Sequence, residues 1–235
     1  MSPVSRSRAV NQELRNQPAY PIAEAGRYLK VPAATLRAWF VGRKYATASG
    51  ERRFRPIVVP SSTEPTLLSF FNLIEAHVIR ALRIDHGVSV RTLRTALDYA
   101  ERTLKVDRLL LSPDLKTGAG ELFLEHYGDL LQLSTSGQMA MRQVLMAYLE
   151  RVEWDEWQFP VRLYPFLTTE SVTAGRPIVI DAGIAFGRPV VASKGVTTAV
   201  IAERIDAGES VRDVAADYGL TDVEIERAIL YERAA

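Results

Sequence analysis

Two short helical patterns separated by two residues constrain this chain more than any other feature in it. The stretch IAEAGRYLKVPAATLRAWF, residues 22–40, has Gly26 in the first pattern, Lys30 and Val31 between the two, and Pro32 at the start of the second. Helices joined by so short a turn cross steeply, and a small residue is needed where they touch. Gly26 is that residue, Leu29 closes the first helix and Val31 anchors the turn. Pro32 opens the second helix, where its missing N–H costs nothing. Leu36 and Trp39 follow on the buried side. Ala33, Ala34, Arg37 and one of Phe40 or Val41 are left facing outward. The pattern is a helix-turn-helix, and its outward face decides what the chain can read.

Outward alanines let a helix approach the floor of the DNA major groove. Arg37 is the one long donor there, able to hold a guanine edge with two hydrogen bonds. Thr35 can reach a phosphate, and Lys30 joins this set from the turn. Immediately downstream, RKYATASGERRFRPIVV reads as two strands around Ser49-Gly50, a hairpin. It carries Arg43, Lys44, Arg52, Arg53 and Arg55. Such a basic wing would make the phosphate contacts that position a recognition helix.

Charge supports this reading. The chain is nearly neutral at +1, yet residues 1–60 hold 11 Lys and Arg against 3 Asp and Glu, a net +8. Residues 61–166 carry −3 and residues 167–235 carry −4. A basic head on an acidic body points to a polyanion partner for the head. Residues 1–17 read as a flexible basic arm.

The middle of the chain is mixed. Leu67 to Ile84 is expected as one helix with a wide apolar face: Leu67, Phe70, Phe71, Ile74, Val78, Ile79 and Leu82. DNA-binding repressors pair across two half-sites. Phe70, Phe71, Ile74 and Val78 are therefore the expected dimerisation face, with intradomain core as the alternative for the same residues. Ser89 caps a following helix, Val90 to about Leu104. ELFLEHYGDLLQLS alternates around Tyr127-Gly128-Asp129 and predicts a hairpin; Ser136 to Leu149 predicts a helix. RVEWDEWQFPVRLYPF predicts two strands broken near Pro160. Phe123, Tyr127, Trp154, Trp157 and Tyr164 form a small mixed core or line a ligand pocket. LTTESVTAGRP, residues 167–177, is the linker candidate.

Beyond it, short strands are expected at Ile178–Ile180 and near Pro189–Val191, then three helices. The last two, VAADYGLTDVEIERAI, repeat the packing rule of the head. Ala215 is the small residue and Gly219 makes the turn, while Val214, Tyr218, Leu220, Ile225 and Ala228 face inward. The outward positions carry Asp217, Asp222, Glu224 and Glu226, which repel phosphates. This unit suits a protein partner.

Other functions are poorly supported. There are no cysteines, which excludes disulfides and thiolate metal sites. No apolar run reaches the roughly 18–20 residues of a membrane helix, and the N-terminus has no apolar signal core. A cytoplasmic protein without membrane partner, metal or cofactor is the expectation. His77, His86 and His126 show no ligand spacing, and His77 reads as a surface or capping residue. Asp155 and Glu156 are adjacent in a strand pattern and point to opposite faces, so they do not read as an acid–base pair. KTGAGE lacks the ending of a phosphate loop. The chain does not read as an enzyme.

The segment IAEAGRYLKVPAATLRAWFVGRKY resembles the winged helix-turn-helix of MerR-like regulators, which ends in a similar Thr-Leu-Arg-x-Trp. Residues 178–230 resemble a small helical domain found in many bacterial antitoxins. The shared steps are Gly187-Arg188-Pro189-Val190, Ala207-Gly208-Glu209-Ser210 and the helix from Ile225 to Ala228. Where that family carries Gly-Thr-Arg, this chain has Ala192-Ser193-Lys194-Gly195. Together the two domains are similar to the larger VapB-type antitoxins of type II toxin–antitoxin systems. The resemblance implies a PIN-like ribonuclease toxin as partner, operator DNA as target, and a homodimer or toxin–antitoxin hetero-oligomer. Arg188, Lys194 and Arg233 are the candidates it implies for toxin binding. The expected fold is mainly α with small β elements (α+β). Its parts are the arm 1–17, a winged helix-turn-helix at 18–60, a mixed middle region at 61–166, the linker 167–177 and a three-helix domain at 178–235.

Overall fold

The computed structural model describes residues 12–47, 50–84, 89–112, 115, 118–165 and 176–234. Strand β1 (Tyr20–Pro21) leads into helices α1 (Ile22–Leu29) and α2 (Ala33–Phe40), and β2 (Arg43–Thr47) and β3 (Gly50–Phe54) form the hairpin. Strands β4 (Ser62–Thr63) and β5 (Thr66–Leu68) precede the long helix α3 (Phe70–Ile84). Helices α4 (Val90–Leu104), α5 (Gly118–Leu130) and α6 (Thr135–Leu149) follow, then strands β6 (Val152–Trp154) and β7 (Pro160–Leu163). The C-terminal part holds β8 (Ile178–Val179), β9 (Val190–Val191), α7 (Thr198–Asp206), α8 (Val211–Tyr218) and α9 (Asp222–Arg233). The fold is mostly helical, with small antiparallel sheets. Among the described residues no helix is long and apolar enough to cross a membrane.

Helix α3 is the axis of the molecule. Phe70, Phe71, Leu73, Ile74, Ala76, Val78, Ile79, Ala81 and Leu82 are all buried within the one chain. This corrects the expected dimerisation face: Phe70, Phe71, Ile74 and Val78 are occupied by the chain's own core. Leu67 is a further correction, since it lies in β5, opposite Pro21 of β1 and Ser62 of β4. Asn72, Glu75 and His77 of α3 are buried too and find partners, as buried polar groups must. The Asn72 amide donates to the Val59 carbonyl and to Glu75. Glu75 receives Arg108 on both oxygens, at 2.9 Å each. His77 is not at the surface. Its Nε2 donates to the Tyr148 carbonyl at 3.1 Å, and burial drives its pKa down to about 3.

The hairpin expected around Tyr127-Gly128-Asp129 is instead the helix α5. Phe123 and Tyr127 stack at 5.4 Å and are fully buried. Gly128 marks a close approach between helices rather than a turn, because a Cβ there would lie 2.8 Å from the Gln138 side chain. With Phe123 and Tyr127 in the core and the Tyr164 hydroxyl donating to Glu153 at 2.8 Å, these aromatics are engaged in packing and hydrogen bonding. Asp155 likewise has a structural role. It accepts from the Trp157 and Phe159 amides and pairs with Arg15 at 2.8 Å. Arg15 belongs to a helical turn over residues 12–16, so the end of the expected flexible arm is docked; residues 1–11 lie outside the described residues.

One hydrophobic core runs from Tyr20 in the head to Ile180, so the head and the middle region share their interior with no boundary at residue 60. A second core, with Ile201, Val214, Ile225 and Tyr231, belongs to the C-terminal part. Most of the expected linker, residues 166–175, lies outside the described residues. The two cores meet at a seam. There the Tyr231 hydroxyl of the second core donates to the Tyr28 carbonyl of the first at 2.7 Å. The C-terminal part is thus docked on the first helix of the head.

Candidate nucleic-acid interface

The head is built by backbone constraints that few residues satisfy. Val31 N–H bonds back to Gly26 O at 2.9 Å. That bond draws the turn so close that a Cβ on Gly26 would lie 2.6 Å from the Val31 oxygen. Lys30 takes a left-handed conformation to close the turn, at φ 54°. Pro32 caps α2 from just outside it, at φ −53° and ψ 134°. Leu36 and Trp39 are buried as expected, and so is Phe40, leaving half-buried Val41 beside it. Ala33, Ala34 and Arg37 are exposed, and Thr35 is half-buried.

The hairpin is fixed against this helix. Gly42, at φ 82°, sits so close to the Phe54 carbonyl that a Cβ would meet it at 2.1 Å. Strands β2 and β3 pair from Arg43↔Phe54 to Thr47↔Gly50. The chain leaving β3 returns to the helix, with Ile57 N–H bonded to Trp39 O at 2.7 Å. Arg94 of α4 clamps the same exit, donating to the carbonyls of Arg55 and Pro56. Arg80 of α3 donates to Leu29 O at 2.7 Å, closing the end of α1. The side chains of Lys44, Arg52 and Arg53 lie outside the described residues.

Between α2, the hairpin and the start of α4 runs a groove of about 860 Å³. Ala34, Thr35 and Ala38 form its helical wall, and Arg43, Arg83 and Arg91 are its cations. Exposed Arg37 and Arg55 extend the basic surface around it. Arg83 and Arg91 escaped the sequence reading. Their proximity to the head depends on α3 and α4 folding back over it, which no local spacing reports.

Lys30 does not belong to this surface. Its ammonium lies 4.2 Å from the centre of the Tyr231 ring and has no hydrogen-bond partner among the described residues. Burial lowers its pKa. The left-handed turn that closes the motif directs this side chain to α9 rather than outward.

The residues expected on the C-terminal part are exposed but held by different surroundings. Arg188 lines a groove between α1 and the C-terminal part. Lys194 lies beside Gly219, at the α8–α9 turn. Arg233 pairs with Asp206 at 2.8 Å. Two of the outward carboxylates have local roles: Asp217 pairs with Arg204, and Glu224 completes a capping box with Thr221 and accepts from Ser193.

Residues 18–97 match a family model described as "Putative DNA-binding HTH domain", and residues 178–231 match one described as "Protein of unknown function (DUF433)". The chain is similar to a Mycobacterium tuberculosis (strain ATCC 25618 / H37Rv) protein named "Putative antitoxin VapB45". Identity is 30%, over 92% of this chain and 95% of that one. The fold is similar to the crystal structure of Rv2018 from Mycobacterium tuberculosis. That match has a TM-score of 0.64 and 23% identity, and covers 91% of this chain and 98% of the other.

Proposed function

Starting from the fact that the chain belongs to the family of the protein named "Putative antitoxin VapB45", we propose that it is a type II antitoxin with two linked tasks. Its C-terminal domain neutralises a PIN-like ribonuclease toxin, and its MerR-like winged head binds operator DNA and represses the toxin–antitoxin operon. The observation that carries the DNA half is the basic groove of about 860 Å³ beside α2. In this reading α2 enters the major groove. Ala33 and Ala34 permit close approach, Arg37 reads a base, and Thr35, Arg43, Lys44, Arg52, Arg53 and Arg55 hold phosphates. Arg83 and Arg91 add phosphate contacts. Two copies bind two half-sites, through a surface other than the buried face of α3. Arg188, Lys194 and Arg233 face the toxin.

The test is a salt titration of operator binding. Arg37→Ala is expected to cost about 1–3 kcal/mol on the specific site and to relax base preference. Arg43→Ala should weaken all sequences alike and lower the salt slope by about one unit. If neither variant changes binding, the DNA assignment of this face is wrong.

A further inference from the structure

The turn after β8 presents one side chain with no internal role. Phe186 is 91% exposed, the most exposed large hydrophobic residue among those described. Its backbone is left-handed at φ 56°, and so is that of Ala185 and Gly187 on either side, at φ 47° and 75°. For a bulky residue that conformation is disfavoured and persists only where the surroundings enforce it. Here they do. Gly187 N–H bonds to Ile184 O at 2.8 Å, and Ile184 N–H to Asp181 O at 3.0 Å. Arg162 holds Asp181 from the neighbouring strand at 3.0 Å. The Tyr20 hydroxyl fills the space beside Gly187, where a Cβ would lie 1.9 Å from it. The loop is therefore pre-organised, and a partner would pay little ordering entropy to use it.

Next to Phe186 stands exposed Arg188, at the mouth of a groove of about 620 Å³ that also takes in Ala23, Arg27, Pro189 and Val200. Of the three carboxylates that line this groove, Glu24 is engaged by the Tyr28 hydroxyl and Glu232 by the Thr198 hydroxyl, while Glu203 is exposed. Arg188 is the exposed cation next to the ring. A rigid aromatic beside an arginine is the composition of a protein–protein hot spot. The net −4 of residues 167–235 disfavours nucleic acid and anionic lipid as the visitor.

We propose that Phe186 is the anchor by which this chain holds its toxin. The ring enters an apolar socket on the toxin, and Arg188 pairs with a carboxylate at the socket's rim. The proposal rests on the antitoxin reading above.

The test uses the full chain and the protein encoded by the adjoining gene. A photo-crosslinking phenylalanine analogue at position 186 is expected to capture that protein. Phe186→Gly removes the ring from a backbone that glycine adopts freely, so Tm should hold or rise. Affinity should fall about 30-fold or more, and about 5–10-fold for Arg188→Ala. If the unaltered chain binds the neighbour and relieves its toxicity while Phe186→Gly binds equally well, the anchor is wrong and the antitoxin reading stands. A crosslink only to a second copy of the chain also overturns it. If the unaltered chain neither binds nor neutralises the neighbour, the antitoxin reading falls and takes the proposal with it.

Discussion

The molecule contains the same turn twice. In the head, Val31 N–H bonds to Gly26 O; near the C-terminus, Leu220 N–H bonds to Ala215 O; both bonds are 2.9 Å. The turn residue is left-handed in both, Lys30 at φ 54° and Gly219 at φ 62°. Aligned on that bond, Leu36 corresponds to Ile225 and Trp39 to Ala228, and all four are buried. The outward positions share no chemistry: Ala33 corresponds to Asp222 and Arg37 to Glu226. Packing sets the turn, and the residues left outside set the partner. Two units built alike can therefore serve opposite electrostatic ends of one protein.

Exchanging the outward charges should break that contrast most visibly. Arg37→Glu places a carboxylate where the head would meet DNA, and operator affinity should fall by about 3 kcal/mol, roughly 100-fold. Glu226→Arg, at the corresponding position, should leave operator affinity unchanged. Fluorescence anisotropy on a labelled operator checks both. A gain of binding by Glu226→Arg would mean that the second unit also reads nucleic acid.

The contact residue offers a sharper comparison, because the two turns admit different side chains there. Gly26→Ala forces a Cβ to within 2.6 Å of a backbone oxygen and should cost about 1–3 kcal/mol of stability. Ala215→Gly opens no such clash and should cost only about 1 kcal/mol, the helix penalty of glycine. Urea unfolding of both variants measures the difference. Equal costs would show that the head relaxes its turn to accept a methyl group.

The two units also differ in how well sequence alone exposes their roles. Residues whose job is set by neighbours within one turn were readable: Gly26, Leu36 and Trp39 in the head, Ser89 as a helix cap, Gly219 as a left-handed stop. Misreadings arose where a distant segment decided the matter. Lys30 reads as a DNA contact until α9 comes back and lays Tyr231 against it. Phe70, Phe71, Ile74 and Val78 read as one apolar stripe, but α3 is surrounded and the stripe has no free side. Gly128 reads as a turn until Gln138 of the next helix fills its missing Cβ. Phe186 gave no signal at all, since one phenylalanine among glycines reveals neither its exposure nor its backbone.

The smallest expected effect separates the two hydrophobic cores. All three histidines lie before residue 130, so the C-terminal core contains none. His77 sits in the larger core with its pKa depressed from 6.5 to about 3, chiefly by burial. For a base, a depressed folded pKa means that the native state binds fewer protons than the unfolded chain between those two values. Stability from the neutral ring is therefore complete above about pH 6.5 and declines as pH falls through that window. From pH 7 to pH 5.5 the loss should be about 1 kcal/mol. Hydrogen exchange read residue by residue should show α3 and α6 losing protection while α7 to α9 keep theirs, and His77→Gln should flatten the dependence. If all helices lose protection together at pH 5.5, the Tyr231–Tyr28 seam couples the cores into one cooperative unit, and the C-terminal part does not unfold independently of the head.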